Sequence, residues 1–355
     1  MIIVYILVAV LLFGVLIAVH EFGHFIAAKS LGVKVNEFAI GMGPRLLHRQ
    51  KGETEYTLRL FPIGGFCAME GEGADSEDPR AFNNKARWKR LIILLAGAFM
   101  NFLIGVLIFL ALNAGVKAFV TTTLDGFMEG FPLQGEQGLM AGDRILEVDG
   151  HAIYKKEDVD LFFSRAGETM DLVVEREGRK VALNDFPLQK RDYPGQDSPK
   201  YGLMFAAKEA TLVDRLKLTW YDSIDTVRLV WVSLGDLVTG KVGMRDMSGV
   251  VGIVDMVGDI GAQGAQVAGL MGAFLNILNF FGFIAVNLAV MNLLPIPALD
   301  GGQILFLGVD KVYHLFTKKN VSQKWLGYIN AAGFLCLIAL MVVIAFSDVM
   351  KLFGR

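Results

Sequence analysis

Cysteine and charge are both scarce in this chain. Among 355 residues there are two cysteines, Cys67 and Cys336. Cys336 lies midway along an apolar run, so a disulfide is not expected and packing is the ordinary role for both. Charged residues make up 20% against 54% hydrophobic, with a mean hydropathy of +0.47. That balance is foreign to a water-soluble protein. The net charge of −2, with no basic run and no basic patch interleaved with aromatics, gives no footing for nucleic acid. The first apolar stretch lacks a basic start and a small-residue cleavage site, so it reads as a retained span rather than a signal peptide.

What the chain has instead is apolar runs. About 20 apolar residues cross the roughly 30 Å of hydrocarbon in a bilayer. Four stretches qualify: Ile2 to about Ala28, Leu91 to Leu112, Phe274 to Leu294 and Tyr328 to Phe346. The expected fold is therefore an α-helical integral membrane protein with four transmembrane helices. Basic residues sort the loops. Between the first two spans lie Lys29, Arg45, Arg49, Lys51, Arg59, Lys85, Arg87, Lys89 and Arg90, and between the last two lie Lys311, Lys318, Lys319 and Lys324. Both loops are expected in the cytoplasm, with the N-terminus and the long segment from about Gly115 to Thr211 outside.

The first span ends in Val19-His20-Glu21-Phe22-Gly23-His24. Imidazoles at i and i+4 lie on one helix face, the spacing for two nitrogens to grip one zinc ion. A carboxylate beside them, Glu21, can take a proton from water activated by the metal and pass it to a departing amine, which is peptide hydrolysis. Polar residues near a helix end are the bland alternative. However, an ionisable group at membrane depth costs roughly 2.5 to 3.5 kcal/mol, and a bound metal compensates for several at one place.

A catalytic zinc site needs a third protein ligand and one open position. His48, His151 and His314 have no motif around them. Asp300 does, because Asn292-Leu293-Leu294-Pro295-Ile296-Pro297-Ala298-Leu299-Asp300-Gly301-Gly302 closes the third span with two helix-breaking prolines and two glycines. An Asp there is often only the cap of a following helix. The topology puts Asp300 at the depth of His20 and His24, which favours a ligand.

These residues, in this order and spacing, resemble the site-2 protease family of intramembrane zinc metalloproteases over the whole chain. Within it they are similar to the bacterial regulator of sigma-E protease type with a single PDZ domain. The resemblance implies that His20, His24 and Asp300 bind one zinc ion, that Glu21 is the general base, and that Asn292 hydrogen-bonds substrate or the oxyanion. Gly97-Ala98-Phe99-Met100-Asn101 departs from the family's Gly-Pro-x-x-Asn by Ala98, which puts a helix kink in doubt and leaves Asn101 as a packing or substrate-gating group.

Tyr56 to Phe66 alternates and then reaches a turn signal, as a strand leading into a hairpin would. It resembles the family's membrane-associated β-hairpin, whose edge, here Gly64, Gly65 and Phe66, would hold an unwound substrate by backbone hydrogen bonds. The outward segment, with Glu136 to Gly150, a short helix over Lys156 to Arg165, and strands over Met170 to Glu175 and Lys180 to Leu183, looks like a PDZ domain. The expected organisation is residues 1–112 as the first membrane part, 117–188 as an α+β PDZ domain, 189–270 as an amphipathic interfacial connector, and 271–355 as the second membrane part.

The implied activity is cleavage of transmembrane segments in single-pass proteins, anti-sigma factors or signal-peptide remnants, in the bacterial inner membrane. The active site would face the cytoplasmic leaflet. The PDZ domain would filter by size or bind a peptide. A catalytically silent scaffold that binds partners through the PDZ domain is the alternative, and a metal transporter a third reading.

Overall fold

The computed structural model describes residues 2–73, 76–243, 249–318, 321 and 323–353. Lys319 and the start of the glycine-rich stretch, Met247-Ser248, lie outside them. The chain divides into two compact units, Met1–Phe109 with Thr226–Arg355, and Leu110–Asp225.

Among the described residues, four helices are long and apolar enough to cross a membrane: Leu7–Ser30, Arg87–Ala114, Gly252–Asn292 and Gly327–Met350. They belong to α1 (Ile2–Ser30), α2 (Arg87–Ala114), α5 (Val250–Asn292) and α7 (Gln323–Phe353). Leu7, Leu11, Leu335, Met341 and Phe346 leave these helices exposed. That much outward apolar surface suits lipid and not water. Leu16 of α1 packs against Phe281, Ile284 and Ala285 of α5.

The 43 residues of α5 would measure about 65 Å if straight, twice the hydrocarbon thickness. The helix breaks at Ala268 and Gly269, where the backbone leaves the helical region. Its arms, 250–267 and 270–292, then fold back on each other. A Cβ on Gly264 would meet the Gly272 carbonyl oxygen at 2.3 Å, and Asn276 donates to the Ile260 carbonyl at 3.4 Å. The span expected from Phe274 lies on the second arm, and the connector assigned to 189–270 contains the first.

Between α1 and α2 run β1 (Val35–Lys51) and β2 (Thr54–Met69), reversing at Gly52, whose φ is +63°. The turn anticipated after Phe61 is present: Glu55 to Leu58 run parallel to Glu37 to Ile40 whereas Gly65 to Ala68 run antiparallel to the same residues, so the chain reverses between Leu58 and Gly65, where Gly64 has a φ of +95°. The two long strands curl on themselves. Glu37 to Ile40 pair on one side with Glu55 to Leu58 and on the other with Gly65 to Ala68. Gly65 to Met69 thus forms an outer ribbon.

The second unit holds a sheet in the order β7-β6-β4-β3-β8, with β5 (His151–Ala152) beside β4. Its strands are β3 (Ala118–Phe127), β4 (Arg144–Val148), β6 (Met170–Arg176), β7 (Arg179–Phe186) and β8 (Leu203–Glu209), with α3 (Lys156–Arg165) packed on them. Met170, Leu172 and Val174 alternate inward, joining Ile145, Val148, Val159 and Phe162 in one core. The boundary expected at Leu188 falls short of the sheet. β8 pairs along β3, Ala118 opposite Glu209 and Phe127 opposite Leu203, so residues assigned to the connector complete the sheet. A long helix, α4 (Leu212–Val238), follows.

Candidate metal centre

The helical spacing of His20 and His24 brings their rings together at the end of α1. Pro295 and Pro297 stop α5, and the chain turns through Ala298, held at a φ of +76°, into α6 (Asp300–Thr317). Asp300 is the first residue of that helix, and its carboxylate points back at the histidines. His20 Nε2 lies 3.2 Å from Asp300 Oδ2, His24 Nε2 lies 3.3 Å from the same oxygen, and the two Nε2 atoms are 3.2 Å apart.

These three atoms form a nearly equilateral triangle, and its electrostatics are informative. His24 Nδ1 lies 2.8 Å from the Ile93 carbonyl oxygen, which can only accept a hydrogen bond. The proton of a neutral ring therefore sits on Nδ1, and Nε2 turns a lone pair to the centre. Asp300 Oδ2 is buried with no hydrogen-bond donor. Converging lone pairs call for a cation. Tetrahedral zinc with bonds of about 2.0 to 2.1 Å spaces its donors about 3.3 to 3.4 Å apart, so two imidazoles and a carboxylate at these separations fit it. They are the group of metal-ligating side chains found among the described residues.

Helix α2 closes the back of the centre. A Cβ on Gly97 would lie 2.4 Å from His24 Nε2 and 2.7 Å from His20 Cε1, and one on Gly23 would lie 2.4 Å from the Ala96 carbonyl oxygen. The two glycines let α1 and α2 approach until the Ile93 carbonyl reaches His24. Gly97 was visible only as part of a motif, with nothing in the chain to say that it faces the imidazoles.

The centre opens into a cavity of about 340 Å³ lined by Glu21, Phe66, Cys67, Glu72, Asn292 and Asp300 among others. The outer ribbon of β2 runs over Glu21: the Cys67 backbone amide hydrogen-bonds its carboxylate, and a Cβ on Gly65 would touch its Cγ at 3.5 Å. Gly64, at a φ of +95°, lies one residue further along and does not line the cavity. Asn292 reaches His20 Nδ1 at 3.3 Å, and Asn101 reaches the same nitrogen at 3.5 Å without lining the cavity. Glu72 went unnoticed in the sequence, which marks it with no motif. It is exposed and opens onto the cavity. The remaining histidines stand elsewhere, His151 stacked on Phe162 and His48 exposed beside Glu55.

The model of peptidase family M50 matches residues 8–340. A protein of Clostridium acetobutylicum named "Putative zinc metalloprotease" is 36% identical over 349 residues, covering 97% of each chain. One of Clostridium perfringens with the same name is 35% identical over 347 residues, covering 97% of this chain and 98% of its own. A third, from Campylobacter jejuni, is 28% identical over 364 residues, covering 98% and 94%. A membrane protein by its four apolar helices, this chain belongs to peptidase family M50, the site-2 protease family.

Proposed function

We propose that the chain is an intramembrane zinc endopeptidase that hydrolyses peptide bonds in the transmembrane segments of single-pass membrane proteins. The observation that carries this reading is the triangle of His20, His24 and Asp300 beside Glu21, at the ends of apolar helices. His20, His24 and Asp300 would hold one zinc ion. When bound, zinc supplies Lewis acidity that polarises a carbonyl and makes water acidic near neutral pH.

The protein's own residues do the rest. Glu21, oriented by the Cys67 amide, takes a proton from the attacking water and delivers it to the leaving nitrogen. No covalent bond to the enzyme forms. Asn292 presents its amide to the cavity, where it donates to the substrate carbonyl oxygen as charge develops there. A helical substrate hides its peptide groups, so it must unwind. The ribbon Gly64, Gly65 and Phe66 offers a strand edge on which an unwound segment can lie.

The unit of residues 110–225 is read as a PDZ domain outside the inner membrane, which filters bulky ectodomains or binds a peptide. The basic loops support a metal centre that faces the cytoplasmic leaflet. Anti-sigma factors and signal-peptide remnants are substrates of the right chemistry.

The test is cleavage of a tagged single-pass protein in proteoliposomes, with zinc counted per chain. Glu21→Gln should keep about one zinc per chain, as the native protein does, and lose about 10²- to 10⁴-fold in rate. Product formed at the native rate by that variant would sink the mechanism.

A further inference from the structure

Two asparagines converge on one ring nitrogen. Asn292 Nδ2 is 3.3 Å and Asn101 Nδ2 is 3.5 Å from His20 Nδ1. Nε2 of that ring points into the triangle, so in a metal-binding histidine Nδ1 carries the proton and requires an acceptor. His24 has one in the Ile93 carbonyl. Among the described residues His20 has no backbone carbonyl in that role, only these two side-chain amides.

The amides are not equivalent. Asn292 lines the cavity and is free to meet substrate. Asn101 is 1% exposed, stands off the cavity, and its Oδ1 is buried with no partner. An amide oxygen buried without a donor is unfavourable at such a place. A half-turn of the amide exchanges nitrogen and oxygen with almost no change of shape. It gives the His20 Nδ1 proton its acceptor. From this we infer that Asn101 is a positioning residue for the metal centre: its Oδ1 accepts from His20 Nδ1, fixing the tautomer and ring plane that present Nε2 to zinc. Asn292 is thereby left for substrate. The inference rests on the zinc reading of His20, His24 and Asp300, and assigns Asn101 a role other than packing or gating.

The experiment is a zinc titration of the purified full chain in micelles against a chromophoric chelator, with the melting temperature of the zinc-free protein as the folding control. The cobalt(II) absorption spectrum reports ligand geometry. Asn101→Leu, of similar size and without an acceptor, should weaken zinc binding about 10- to 100-fold. It should also shift the cobalt bands while the zinc-free melting temperature holds. Asn101→Asp, which keeps an oxygen in place, should recover most of the affinity. Should the Leu variant not fold, Asn101→Ser takes its place. No stoichiometric zinc in the native chain would defeat the metal reading itself. Native zinc binding with affinity and cobalt spectrum unchanged in Asn101→Leu would overturn the role of Asn101 alone, as would equal losses in the Leu and Asp variants.

Discussion

Gly97 sits against His24 so closely that a single methyl group would reach to 2.4 Å from Nε2, the atom that faces the metal position. The contact is with the rings themselves, so α2 is the back wall of the centre as well as a membrane helix. Gly97→Ala should therefore displace both imidazoles and lower cleavage by about 10²-fold, the usual penalty for an ångström of misplacement. Ala98→Gly, one residue away, should leave the rate nearly unchanged. Parallel rate measurements on the two variants check this, and an active Gly97→Ala protein would refute it.

This contact also marks how far the sequence could be read. His20, Glu21, His24 and Asp300 were legible because chemistry demands those residue types at helical spacing or at a helix break of equal depth. The four apolar spans were legible because lipid imposes length. The fold-back of α5 was not, since Ala268 and Gly269 look like any small residues in an apolar run, and only the tertiary pairing of Gly264 with Gly272 shows that the helix reverses. The reversal at Pro62-Ile63-Gly64-Gly65 was legible from its turn residues, but not that the returning segment pairs with Glu37 to Ile40 on the side away from Glu55 to Leu58, because that register is set by tertiary pairing. β8 escaped notice because its partner, β3, lies more than 70 residues earlier.

Removal of metal should act on stability as well as rate. Three converging lone pairs at 3.2 to 3.3 Å repel one another unless a cation lies among them. A ligand at a thousand times its dissociation constant stabilises by about 4 kcal/mol. Chelated protein should melt lower and regain its melting temperature on adding zinc, and His24→Ala should show no zinc-dependent rise. An equal rise in both proteins would place the ion elsewhere.

A second tie holds α6, and with it Asp300, to α2. Asp310 is 8% exposed, and its Oδ2 accepts from Arg87 Nε at 3.1 Å and Nη2 at 2.9 Å, while Oδ1 accepts from the Val321 amide at 2.9 Å. Arg87→Ala leaves that carboxylate short of its charge partner and should destabilise the protein by about 1 to 3 kcal/mol. Arg87→Lys restores charge without the two-pronged geometry and should recover part of the loss. Chemical denaturation of the three proteins in one detergent measures the order, and an Arg87→Ala protein as stable as the native one would dismiss the tie.

Glu70 lies one residue past the ribbon that lines the cavity, and its carboxylate anchors the loop that follows. It accepts from Asn36 Nδ2 at 3.0 Å, Ser76 Oγ at 2.7 Å and Lys34 Nζ at 3.3 Å. Those bonds, Asn36 foremost, hold the carboxyl down to about 2 from its ordinary 4.5. The folded loop thus prefers the charged form more strongly than the unfolded chain does. Its contribution is complete above pH 4.5 and is lost as pH falls toward 2, because protonation then costs the folded state its three bonds. Hydrogen exchange across 70–82, corrected for intrinsic rates, should accelerate over that window in the native chain. Glu70→Gln should exchange faster than native at pH 6 and show a flatter pH dependence. Parallel curves for the two proteins would mean that the anchor is not Glu70.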